Sequence, residues 1–74
     1  MSAGDIWSVT CESLWVRSGP GTNYSGVGGL TRGEEVTEKD RGNDKNGSMW
    51  IKHSQGWSCS NYMKVVNQFR KVIN

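Results

Sequence analysis

Leu14-Trp15-Val16-Arg17-Ser18-Gly19-Pro20-Gly21-Thr22-Asn23-Tyr24 is the stretch whose reading decides the fold. Leu14–Arg17 carries aromatic and β-branched side chains and reads as a short strand. Ser18–Asn23 is a dense turn signal: Pro20 sets φ at one position, and Gly19 and Gly21 accept positive φ on either side of it. A short strand running into a tight turn also describes the rest of the chain. Upstream, Ile6–Cys11 reads as a first strand. Downstream, Ser25–Leu30 is a strand whose three glycines suggest a bulge or a close backbone approach. Thr31–Glu34 is a turn. Glu35–Asp40 alternates Val36, Glu38 and Asp40 with Glu35, Thr37 and Lys39, the pattern of a half-exposed strand.

Arg41–Gly47 is the most polar stretch, and Asn46-Gly47 is a hairpin-turn dipeptide. Met49–His53 and Gly56–Cys59 read as two further strands joined at Ser54–Gly56. The expectation is an all-β domain of five to seven short strands, a small barrel or sandwich. Val16, Val27, Leu30, Val36, Ile51 and Trp57 are its expected core, joined by at least two of the remaining aromatics.

Composition supports this class and removes others. The chain has 74 residues, enough for one small domain and too few for a doubly wound nucleotide fold or an α/β barrel. No run approaches the 18 apolar residues of a membrane span. Ten glycines against one proline suit strands and tight turns better than a helical bundle. Apolar residues are only 34% of the chain, yet four tryptophans argue against disorder, because each buries a large area. The net charge of +2 is a weak bias. It fits an anionic surface without choosing among cell wall, nucleic acid and lipid. Met1–Asp5 shows neither a basic nor an apolar region of a signal peptide. The expectation is a chain made in the cytoplasm and acting at a cell wall or in a phage particle, or else a fragment of a secreted protein.

The motifs then resemble those of bacterial SH3-type (SH3b) domains. Leu14–Tyr24 is similar to the opening motif of that family, which typically reads Leu-Asn-Val-Arg, a small residue, Gly-Pro and a Thr/Ser-Asn-Tyr element. Val27–Val36 resembles its strand, turn and strand with Leu-x-x-Gly. Trp50-Ile51-Lys52 resembles its Trp-x-Lys, and Gly56-Trp57 with Asn61-Tyr62-Met63 its closing Gly-Trp and Tyr-Leu. The resemblance covers residues 8–66, leaving 1–7 as a lead-in and 67–74 as a tail or linker. It implies an SH3-like barrel and a non-catalytic module that binds peptidoglycan through its stem peptide or cross-bridge, as in cell-wall hydrolases, phage endolysins and tail proteins. Trp15 departs from the pattern by replacing the usual Asn with a large ring.

By resemblance and position, Trp15, Asn23, Tyr24, Trp50 and Tyr62 are the candidate groove residues. Arg17 and Lys52 are candidate partners for a ligand carboxylate. Arg17 has an alternative role, clasping the barrel through backbone carbonyls. No catalytic constellation emerges: His53 is the only histidine, and neither cysteine lies in a nucleophile signature. No metal-ligand spacing and no phosphate loop is present, so no cofactor is expected. Cys11 and Cys59 form a candidate disulfide. It would close a loop of about 49 residues and contribute about 4 kcal/mol in the chain-entropy model. The alternative is two small reduced side chains in the interior.

Val65, Val66, Phe69, Val72 and Ile73 recur as the apolar stripe of a short helix. The expectation for residues 64–74 is a tail folded on the barrel or frayed at its end, or a segment that docks on a neighbouring domain or partner. The latter alternative makes the protein a structural interaction domain, for instance of a phage tail or baseplate. Nucleic acid is not an expected partner, because no Lys/Arg stripe interleaves with the aromatics.

Overall fold

The structure is a computed structural model and describes residues 4–66. Eight strands follow in order: β1 (Ile6–Val9), β2 (Ser13–Arg17), β3 (Gly26–Thr31), β4 (Glu35–Thr37), β5 (Asp40–Asn43), β6 (Met49–His53), β7 (Gly56–Cys59) and β8 (Met63–Val65). A single 3₁₀ turn, Ser60–Tyr62, links the last two strands. All pairings are antiparallel, in a three-stranded sheet of order β4-β1-β8 and a five-stranded sheet of order β3-β2-β7-β6-β5. The all-β expectation holds. The two sheets share no hydrogen-bonded edge, so they face each other without closing into one continuous barrel.

The extra strand comes from the chain crossing between sheets. Glu35–Thr37 pairs with β1, whereas Asp40–Asn43 pairs with β6. At the crossing the Glu38 N–H donates to the Asp5 carbonyl at 2.8 Å, and the Lys39 N–H to the Lys52 carbonyl at 2.8 Å. The expected single strand Glu35–Asp40 is thus two short ones. Arg41–Asn43, expected in a polar loop, is the ladder of β5. Its position at the edge of its sheet tolerates charged side chains. Ile6 and Trp7, from the lead-in, lie in β1 and pair with Thr37 and Val36.

The core lies between the sheets and is filled from both. Trp7, Val9, Val36 and Met63 come from the smaller sheet, and Leu14, Val16, Leu30 and Ile51 from the larger. Val27, expected in this core, is 57% exposed. The reason is the two-residue period of a strand: Leu30 points inward, which places Gly28 on its side and Val27 on the other. Trp57 is half-buried, and Trp7 takes the expected aromatic place inside.

Cys11 and Cys59 are free thiols, so the candidate disulfide is not formed. Their positions explain it. Cys11 packs against the inter-sheet core with its thiol donating to the Ser13 carbonyl at 3.2 Å, while Cys59 lines a surface groove at the end of β7. Of the apolar stripe at the C-terminus, Val65 lies in β8 and Val66 follows it; Phe69, Val72 and Ile73 lie outside the described residues.

Candidate functional site

A groove of about 340 Å³ runs between three parts of the chain. Leu14, Trp15 and Arg17 of β2, with Thr22 of the following loop, form one side. Asp44, Asn46 and Ser48 of the β5–β6 turn form the other. Trp50, Cys59, Asn61 and Tyr62 complete the lining. Two aromatic side chains in it face water, Trp15 at 61% and Tyr62 at 51% exposure, whereas Trp50 is buried.

Each of these positions is held from behind. The Trp15 indole lies over Gly26 of β3, where a Cβ would come within 2.6 Å of the ring. Gly26 therefore makes room for the ring, which gives one of the three glycines of this strand its reason. The Arg17 guanidinium sits 5.5 Å from the Trp15 ring centroid, a cation–π geometry, and its Nη1 donates to the Tyr24 carbonyl at 3.1 Å. From within the domain, Ser58 Oγ donates to the Trp15 carbonyl at 3.3 Å. Tyr62 is fixed through its backbone: its carbonyl accepts the Thr10 N–H at 2.9 Å and the Thr10 hydroxyl at 3.0 Å. Ser60 Oγ anchors the same 3₁₀ turn on the Met49 carbonyl at 2.8 Å.

The opposite rim is organised by one carboxylate. Asp44 Oδ1 accepts the N–H groups of Asn46 and Ser48, both at 2.9 Å, and Oδ2 accepts the Trp50 indole N–H at 3.0 Å. The main chain closes the turn through Gly47 N–H to the Asp44 carbonyl at 3.0 Å and Asp44 N–H to the Ser48 carbonyl at 2.9 Å. The Trp50 indole above all holds the Asp44 carboxyl below the usual carboxylate range; desolvation, next in size, opposes it, and the Ser48, Asn46 and Gly47 N–H groups add to the lowering.

Of the residues expected at a groove, Trp15, Arg17, Trp50 and Tyr62 are brought together. Asn23, Tyr24 and Lys52 are exposed and do not line it. The Tyr24 ring instead lies across Gly19, where a Cβ would meet it at 2.5 Å. Lys52 stands on β6 opposite Trp57 and Asp40. Sequence reasoning missed Asp44, Asn46 and Ser48. The Asn46-Gly47 dipeptide was their signal, because an Asp two residues before it is placed to accept N–H groups of the turn. A second, more open depression of about 350 Å³ is lined by Ser13, Leu14, Trp15, Gly28 and Gly29, so Trp15 borders both.

His53 and Ser58 meet at 2.9 Å between Nε2 and Oγ, but both are buried, His53 at 3% and Ser58 at 0% exposure. This pair braces the back of Trp15 and is not open to a ligand. Among the described residues, no group of three or more His, Cys, Asp or Glu side chains is placed to hold a metal ion. No helix among the described residues is long and apolar enough to cross a membrane. Comparison with family models, with curated proteins and with solved structures finds no match to this chain.

Proposed function

We propose that the chain is a non-catalytic binding module that attaches to bacterial peptidoglycan through its peptide, in the groove between Trp15, Asp44 and Tyr62. The observation that carries the reading is the pair of water-facing aromatics, Trp15 and Tyr62, each fixed by hydrogen bonds to its backbone. Exposed aromatic rings held in place lose little entropy when a ligand packs on them. The groove is lined from β2, the β5–β6 turn and the Ser60–Tyr62 turn, a surface cleft spread over separate parts of the chain, which suits an extended peptide better than a compact metabolite. The resemblance of Leu14–Tyr24 and the later motifs to bacterial SH3-type domains points to the same ligand class.

A backbone NMR titration with soluble peptidoglycan fragments tests it. Shifts concentrated at Trp15, Asp44, Asn46 and Tyr62 are expected. A well-dispersed spectrum that stays unmoved by fragments and by stem peptides would sink the proposal and leave the structural interaction domain, with residues 64–74 as its contact, as the reading to pursue.

A further inference from the structure

We propose that the groove selects a peptide bearing an ammonium group, with Asp44 as the counter-ion of that group and Tyr62 as an aromatic wall of the same groove. The inference rests on the groove being the ligand site and adds the charge that the ligand must carry. Asp44 is the only acidic side chain lining the groove. No cationic side chain lies within ion-pair distance of it among the described residues. Arg17, the only cation in the lining, is engaged elsewhere, over the Trp15 ring and on the Tyr24 carbonyl. The lining therefore carries one acid and one base that are not paired with each other, and among the described residues Asp44 has no counter-ion.

The carboxylate also has capacity for another donor. A carboxylate offers about four acceptor positions, two on each oxygen. The Asn46 and Ser48 N–H groups occupy both on Oδ1, and the Trp50 indole occupies one on Oδ2. One position on Oδ2 remains. Its partners are rigid backbone and a buried indole, so the oxygen is aimed in advance and an incoming ammonium meets no reorganisation. An ammonium bound there makes a charge-assisted hydrogen bond, the stronger kind. The exposed Tyr62 ring in the same lining favours a cation as well. A ligand without an ammonium group gains none of this at Asp44.

The test compares two forms of one stem tetrapeptide, both acetylated at the α-amine. One keeps the ε-ammonium of its lysine, and the other carries an Nε-acetyl group. Dissociation constants are measured by NMR on the whole chain. The inference expects the ammonium form to bind at least about tenfold more tightly, with the largest shifts at Asp44 and at the Trp50 indole N–H. It also expects Asp44→Asn to reduce that ratio to near one. Asparagine keeps an oxygen for the Asn46 and Ser48 N–H groups, and the Trp50 indole proton reports whether the turn survives. Should the variant lose the turn, the wild-type comparison and its weakening with added salt still decide the matter. Equal binding of the two peptides would overturn the charge selection while leaving the groove as the ligand site. Failure of both peptides to bind would overturn both.

Discussion

The Trp7 indole N–H donates to Glu38 Oε1 at 2.9 Å, joining β1 to the point where the chain crosses between the sheets. Arg41 grips the same carboxylate from outside, through Nε at 2.7 Å and Nη2 at 2.9 Å. Glu38 is 2% exposed, so its charge survives burial because these donors replace water.

Removing Arg41 should therefore cost more than neutralising Glu38. Arg41→Ala removes two charge-assisted hydrogen bonds from a buried carboxylate. We expect a loss of about 2 kcal/mol, below the roughly 3–5 kcal/mol of a fully enclosed pair, because the Arg41 side chain is 39% exposed and water screens it. Glu38→Gln keeps an oxygen for the Trp7 indole and leaves no buried charge. Its expected cost is about 1 kcal/mol. Urea unfolding followed by tryptophan fluorescence gives both values; the reverse order would mean that Glu38 is hydrated in solution.

His53 makes the fold sensitive to mild acid. Its Nδ1 accepts the Gln55 N–H at 3.4 Å, so the network places the proton on Nε2, which donates to Ser58 Oγ at 2.9 Å. Burial pushes the His53 pKa below its ordinary value of 6.5. The folded state thus keeps His53 neutral at a pH where the unfolded chain binds a proton. Stability is unaffected by this group above about pH 6.5 and falls as the pH drops below it. The slope is at most about 1.4 kcal/mol per pH unit, until the buried ring itself is protonated. Asp44 acts in a lower window, since its depressed carboxyl contributes stability above the ordinary carboxylate pKa and loses it only in stronger acid. Urea midpoints at pH 7.5 and 5.5 should differ in the wild type and converge in His53→Gln. An unchanged difference in the variant would assign the acid sensitivity to other groups.

The sequence reading and the structure agree where local chemistry decides and part where pairing does. Met49–His53 and Gly56–Cys59 were legible to the residue, because dense aromatic and β-branched runs are bounded by turn residues on both sides. The alternation of Val36 and Glu38 was legible too, and both side chains do point inward. That a glutamate would fill an interior position was not, since Trp7 and Arg41, its donors, are distant in sequence or on another strand. Trp15 and Tyr62 were legible as groove residues through the family-like motifs. Asp44 was hidden because its role comes from an indole six positions away and from the folding of its own turn. Polar residues in a hairpin turn are usually solvated, and composition does not single one out.

Trp15 and Trp50 border the same groove yet should fail in different ways. The Trp15 ring is 61% exposed, so Trp15→Ala removes a platform and little buried area. We expect a stability change within about 1 kcal/mol, as for other exposed positions. Affinity for a peptidoglycan peptide should fall by about tenfold or more, the effect of truncating a central aromatic contact. Trp50 is 3% exposed, and Trp50→Phe keeps most of its bulk while deleting the indole N–H to Asp44. Its expected signature is a loss of about 1–2 kcal/mol together with shifted amide resonances at Asn46 and Ser48. Paired unfolding and titration experiments separate the two. A Trp15→Ala protein that binds as well as the wild type would move the site away from this groove.

Gly56 is the residue whose substitution most directly tests the packing behind the groove. It opens β7 with φ of +147°, a conformation that side chains rarely adopt. A Cβ there would lie 2.6 Å from the Arg17 carbonyl and 2.9 Å from Val16 Cγ1. The carbonyl belongs to β2, which meets β7 through the Arg17–Trp57 pair, so it cannot move without disturbing the strand that carries Trp15. Gly56→Ala should cost about 2–3 kcal/mol from strain and overlap together. Gly47 offers the control: its φ is +87° but a Cβ meets nothing within 4 Å. Gly47→Ala should cost only the backbone strain, about 1–2 kcal/mol, and its effects should stay in the β5–β6 turn. Thermal unfolding ranks the two, and amide spectra locate the damage. The expected result is widespread shifts across β2 and β7 for Gly56→Ala; equal and purely local effects would show that the β2–β7 contact is looser than the structure has it.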